Sequence, residues 1–99
     1  MSAFLKRHGF ERQVTSAMLV QKARSLTSDL LPPHARNDVR VISFNEGQLK
    51  IAVRHAAAGF EVSQIAGLLR DALLREFPST DIAKITHKLD PKAFENFVQ

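Results

Sequence analysis

The chain has 99 residues, 44% hydrophobic and 24% charged, with no cysteine, which describes one small soluble globular domain without disulfides or thiolate metal sites. A chain of this length buries roughly 65% of its extended surface, enough for one modest core and no sizeable ligand cavity. Its charge is +4 at pH 7, no apolar run approaches the roughly 18 residues of a membrane helix, and the first residues do not read as a secretory signal, so a cytoplasmic protein is expected.

Residues 1–10, MSAFLKRHGF, are read as a basic arm broken by Gly9, ahead of a single domain over 11–99. Residues 11–31 form a helical pattern in which Val14, Ala17, Met18, Leu26 and Leu30 trace one stripe. Pro32 and Pro33 end it, because the residue before a proline disfavours helical dihedrals. A polar connection, 34–38, leads to two alternating runs, VRVISF at 39–44 and QLKIAVR at 48–54, that read as a hairpin.

Two registers are open. A three-residue loop with Gly47 in a bulge pairs Phe44 with Gln48 and Val41 with Ile51, and turns Arg40, Ile42, Phe44, Lys50, Ala52 and Arg54 outward. A two-residue turn pairs Phe44 with Leu49 and buries Phe44 and Ile42 instead.

Residues 57–77 carry the strongest helical pattern, with Val62, Ile65, Ala66, Leu69, Leu73 and Phe77 on one face. Gly67 within it is either a point of close approach or a tolerated interior glycine. A third strand is expected over 81–89, with Ile82 and Ile85 toward the core. Asp90 and Pro91 then signal a short terminal helix bearing Phe94, Phe97 and Val98. The expected class is α+β: helix, strand, strand, helix, strand, with a three-stranded sheet, helices on one face and a short C-terminal helix.

The residues offer little for catalysis. There is no glycine-flanked Ser and no Cys to act as a nucleophile, so an enzyme is not expected. The four histidines, His8, His34, His55 and His87, place no pair on one helical face, and Gly9, Gly47, Gly59 and Gly67 fit no phosphate-binding loop. Neither a metal nor a cofactor is anticipated. Charge is the informative feature, because residues 1–60 hold nine Lys and Arg against four acids. Arg40, Lys50, Arg54 and His55 around the hairpin are the expected phosphate contacts, with Lys22, Arg24 and Lys6 extending the surface. Phe44 is a candidate for stacking on a base in the register that exposes it.

The stretch from Val39 to Leu89 resembles the core domain of the DciA family, bacterial proteins related to replicative-helicase loading. The resemblance lies in a strand ending in Phe, a loop ending in Gly, a Leu-x-Ile-x-Val strand, a small-residue helix start, a Leu-rich helix and a short Ile-containing strand. It implies a K-homology-like fold, DNA binding and contact with a DnaB-type helicase. Ala58 stands where family members commonly carry Trp, and the glycine-x-x-glycine clamp of K-homology domains is missing, so backbone clamping of nucleotides is not expected. Two other functions fit the same fold class. One is an RNA- or ribosome-associated factor. The other is a protein-interaction module or homodimer using Phe94, Phe97 and Val98 or the strand edge at Ile82 to Lys88.

Overall fold

A computed structural model describes residues 15–95. The basic arm, Lys6 included, and Phe97 and Val98 lie outside the described residues. Helix α1 runs Ser16–Leu30 and starts at Thr15, whose hydroxyl accepts the Met18 N–H at 3.1 Å. Its buried stripe is Leu19, Val20, Ala23 and Thr27, with Leu26 and Leu30 packed alongside. Met18 is instead half exposed and Ala17 exposed, so the core-facing stripe is rotated from the expected one. The expected stripe gave no place to the adjacent pair Leu19 and Val20, both of which the sheet covers.

After α1 a 3-10 turn, Pro33–Asp38, tucks Ala35 beneath Leu31 and Ile65. Strands β1, Val39–Asn45, and β2, Gln48–Val53, then pair antiparallel. Both candidate registers occur in this hairpin, one on each side of a bulge. Val41 pairs with Ile51 at one end, Phe44 pairs with Leu49 at the other, and Ile42 is the extra residue between them. The tip is a two-residue turn in which Glu46 (φ 52°) and Gly47 (φ 78°) are both left-handed, the geometry that matches strand twist.

Phe44 therefore faces the helices and packs on the core, while Ile42 remains 44% exposed. A solvent-facing stacking role for Phe44 is thus replaced by a packing role. The cause is the tight turn, which fixes the near end of the ladder before the bulge resets it.

Helix α2, Ala56–Glu76, buries Val62, Ile65, Leu69 and Leu73 as its periodicity requires. It delivers the chain to β3, Lys84–Leu89, which lies parallel to β2, so the mixed sheet has the order β1-β2-β3. Ile82 is fully buried just ahead of β3, and its carbonyl accepts the Arg70 Nε–H at 2.8 Å. The Gly47 carbonyl accepts the N–H groups of Ala83 and Lys84, which ties the hairpin tip to the start of β3.

Of the two helical glycines, Gly59 is the one closely approached: a Cβ there would sit 3.2 Å from the His87 ring, whereas nothing lies within 4 Å of the corresponding point at Gly67. The last described element is a 3-10 turn, Pro91–Phe94, at the start of the expected terminal helix and without a side-chain cap from Asp90. Both helices cover one face of the sheet, around a core that includes Leu19, Leu49, Ile51, Leu69 and Leu73. Among the described residues no helix is long and apolar enough to cross a membrane.

Candidate nucleic-acid interface

The three strands contain no Asp or Glu and four Lys or Arg: Arg40, Lys50, Lys84 and Lys88. Strand side chains alternate between faces, and the pairing settles which side each takes. Val41, Leu49 and Ile51 turn toward the helices and are buried. Arg40, paired with Ala52, and Lys50, paired with Ser43, consequently lie on the opposite, open face. The parallel ladder adds Lys84, Thr86 and Lys88 to that face, beside Gln48, Lys50 and Ala52.

Three rows thus cross the sheet: Asn45, Gln48 and Lys84; Ser43, Lys50 and Thr86; and Arg40, Ala52 and Lys88. Adjacent strands are about 4.8 Å apart, so each row brings its side chains within reach of one bound group. Gln48 Nε2 donates to Thr86 Oγ1 at 3.2 Å and ties two rows together. A hollow of about 350 Å³ on this face is bordered by Ile42, Lys50, Thr86, Lys88 and Asp90.

Lys84 and Lys88 were not anticipated as contacts. Their signal was present in KITHKL, where Lys84, Thr86 and Lys88 alternate with Ile85, but the partner strand decides what that alternation joins.

The other expected contacts are dispersed and mostly engaged. Arg54 donates from Nε to Asp38 Oδ1 at 2.8 Å and from Nη2 to the Asn37 carbonyl at 3.1 Å. His55 caps α2: its Nδ1 accepts the Ala58 N–H at 3.3 Å, so the ring proton sits on Nε2 and is donated to Asp38 Oδ2 at 3.1 Å. Asp38 thereby answers both residues, and His55 serves the helix start.

Lys22 lies at 3.8 Å from Glu76, between the two helices and away from the open face. Arg24 donates from Nε and Nη2 to the Val41 carbonyl, both at 3.3 Å, and fastens α1 to the edge strand beside the bulge. The structure therefore brings Arg40 and Lys50 together, sets Arg54 and His55 at one border of the sheet, and leaves Lys22 and Arg24 on a separate layer.

One end of the open face is covered. The terminal 3-10 turn folds back over it, and Phe94, 8% exposed, lies with its ring centroid 4.8 Å from the Arg54 guanidinium and 5.6 Å from that of Arg40. Ala52, paired with Arg40, is only 3% exposed. Phe94 is thus absorbed by its own domain instead of being offered to a partner. Among the described residues no three His, Asp or Glu side chains gather in a way that could hold a metal ion. In comparisons with known proteins, neither a family model nor a curated protein matches this chain.

Proposed function

We propose that this protein is a non-enzymatic cytoplasmic adaptor that binds DNA through the open face of its sheet. The supporting observation is that strands without a single acid present Arg40, Lys50, Lys84 and Lys88 on one side. Lysine ammonium groups engage phosphates as point charges, and each neutralised phosphate releases condensed counterions, which makes the affinity fall with salt. With Phe44 turned to the core and Phe94 covered by its own turn, exposed rings for base stacking are lacking on this face among the described residues. Binding is accordingly led by the sugar-phosphate backbone and weakly dependent on sequence. The resemblance to the DciA family supports DNA over RNA and adds a DnaB-type replicative helicase as protein partner. Phe60 and Leu68, more than half exposed on the outer side of α2, are apolar positions suited to a protein contact.

The test replaces Lys50, Lys84 and Lys88 together by Glu and measures binding to single-stranded DNA, duplex DNA and RNA of equal length across a salt series. The affinity for DNA is expected to fall by at least tenfold, with the salt slope reduced by about two to three units. A Lys22→Glu control, remote from the face, should change little. Unchanged affinity in the triple variant would remove the sheet face from consideration, and tighter binding to RNA than to DNA would shift the function to an RNA-associated factor.

A further inference from the structure

A second concentration of positive charge lies around the edge of β1, in a cleft of about 290 Å³ between α1, the Pro33–Asp38 turn and β1. Arg24 and Arg36 both line it, and Arg40 contributes to its lip. Among the described residues the cleft has no acidic side chain in its lining. Among the described residues, neither Arg24 nor Arg36 has a carboxylate within ion-pair distance.

Each of these two guanidinium groups is instead anchored by a neutral backbone carbonyl: Arg24 by Val41, and Arg36 Nε by Ser28 at 2.7 Å. Such anchoring fixes the orientation of each fork while, among the described residues, leaving further N–H donors on both unspent and both charges without a carboxylate partner. Two like charges lining one concavity repel each other, and a shared anion relieves that repulsion. Thr27 lines the same cleft, and its buried hydroxyl has no hydrogen-bond partner among the described residues.

We infer that this cleft is a phosphate-binding subsite, with Arg24 and Arg36 as the paired donors. Planar, pre-oriented guanidinium forks match tetrahedral oxyanions through two parallel N–H···O bonds, a geometry that lysines on the open face do not supply. The volume of about 290 Å³ has room for a phosphate and part of its ester. Arg40 belongs both to the lip of the cleft and to the basic sheet face, so a strand lying on the sheet can turn around β1 and seat one phosphate here. That the phosphate is a phosphodiester of such a strand rests on the proposed function; the subsite itself does not.

The experiment follows the Nε–Hε resonances of the arginines in the intact protein by NMR, during separate titrations with inorganic pyrophosphate and with a short oligothymidylate. Pyrophosphate should shift the Arg24 and Arg36 signals saturably, while those of Arg70 and Arg75 stay in place. Arg36→Gln should abolish the effect. The same variant, checked for an unchanged fold by its amide spectrum, should bind the oligonucleotide about three- to tenfold more weakly, with a salt slope lower by about one unit. Arg36→Lys, which keeps the charge and loses the fork, should recover less than half of that loss on a logarithmic scale.

Pyrophosphate that leaves the Arg24 and Arg36 signals unmoved in the unmodified protein overturns the subsite whatever the variants do. A pyrophosphate response without any oligonucleotide response supports a site for free phosphate compounds and overturns its assignment to a strand. Failure of the sheet-face reading is read separately, from the Lys50, Lys84 and Lys88 variant.

Discussion

Gly59 and Gly67 are chemically identical and stand in one helix, yet their surroundings give them opposite tolerance for a methyl group. At Gly67 an added Cβ meets nothing within 4 Å, so Gly67→Ala should raise stability by up to about 1 kcal/mol through helix propensity alone. At Gly59 the same gain is offset by the His87 ring 3.2 Å away, which must move to make room. Urea unfolding of the two variants should place Gly67→Ala above Gly59→Ala by about 1 kcal/mol. Equal gains would mean that the ring yields freely. Position in the helix was visible in the sequence, but the neighbour that distinguishes the two glycines comes from β3, 28 residues beyond Gly59. The same limit applied to Arg54 and His55. Their charge was legible, whereas the Asp38 carboxylate that occupies both could be found only once the hairpin brought residue 38 beside residue 54.

The hairpin shows how one element can satisfy two conflicting local rules. Its sequence permitted two turns, and the bulge at Ile42 lets the tight turn coexist with the Val41 and Ile51 pairing that buries the valine side of β1. One feature of the turn is poorly suited to its conformation: Glu46 adopts φ 52° where Asn or Gly is preferred. Glu46→Asn should therefore stabilise the protein by roughly 0.5–1 kcal/mol, measurable as a higher urea midpoint at constant slope. A fall in stability would show that the Glu46 side chain contributes more than its backbone strain costs. The strands, α2 and most of α1 were legible from periodicity and proline signals. The core-facing side of α1 was not, because apolar residues lie around several of its faces and only the sheet decides among them.

For the whole molecule, the α+β order and the single helix-covered sheet followed from the patterning, but the composition of the open face did not. Three of its four strand bases lie on β2 and β3, and β3 joins only through a parallel pairing that local spacing does not specify. The Pro91–Phe94 turn is part of this architecture, since Phe94 is buried and its ring lies against two guanidinium groups. Phe94→Ala should cost about 2–3 kcal/mol, near the low end for a buried phenylalanine because a terminal turn can relax, and lower the melting temperature by roughly 10 °C or more. An unchanged melting temperature would show that the turn is a dispensable cover. The parallel β2 and β3 pairing also makes the lysine cluster depend on a contact between segments distant in sequence. The hairpin closes between neighbouring segments, whereas β3 joins β2 across the intervening residues 54–83. Lys84 and Lys88 thus come beside Lys50 only when β3 is paired, and a chain with β3 undocked presents only the hairpin's share of the charge. A polyanion that needs all three lysines discriminates between finished and unfinished molecules, and by occupying the former it draws the folding equilibrium toward completion.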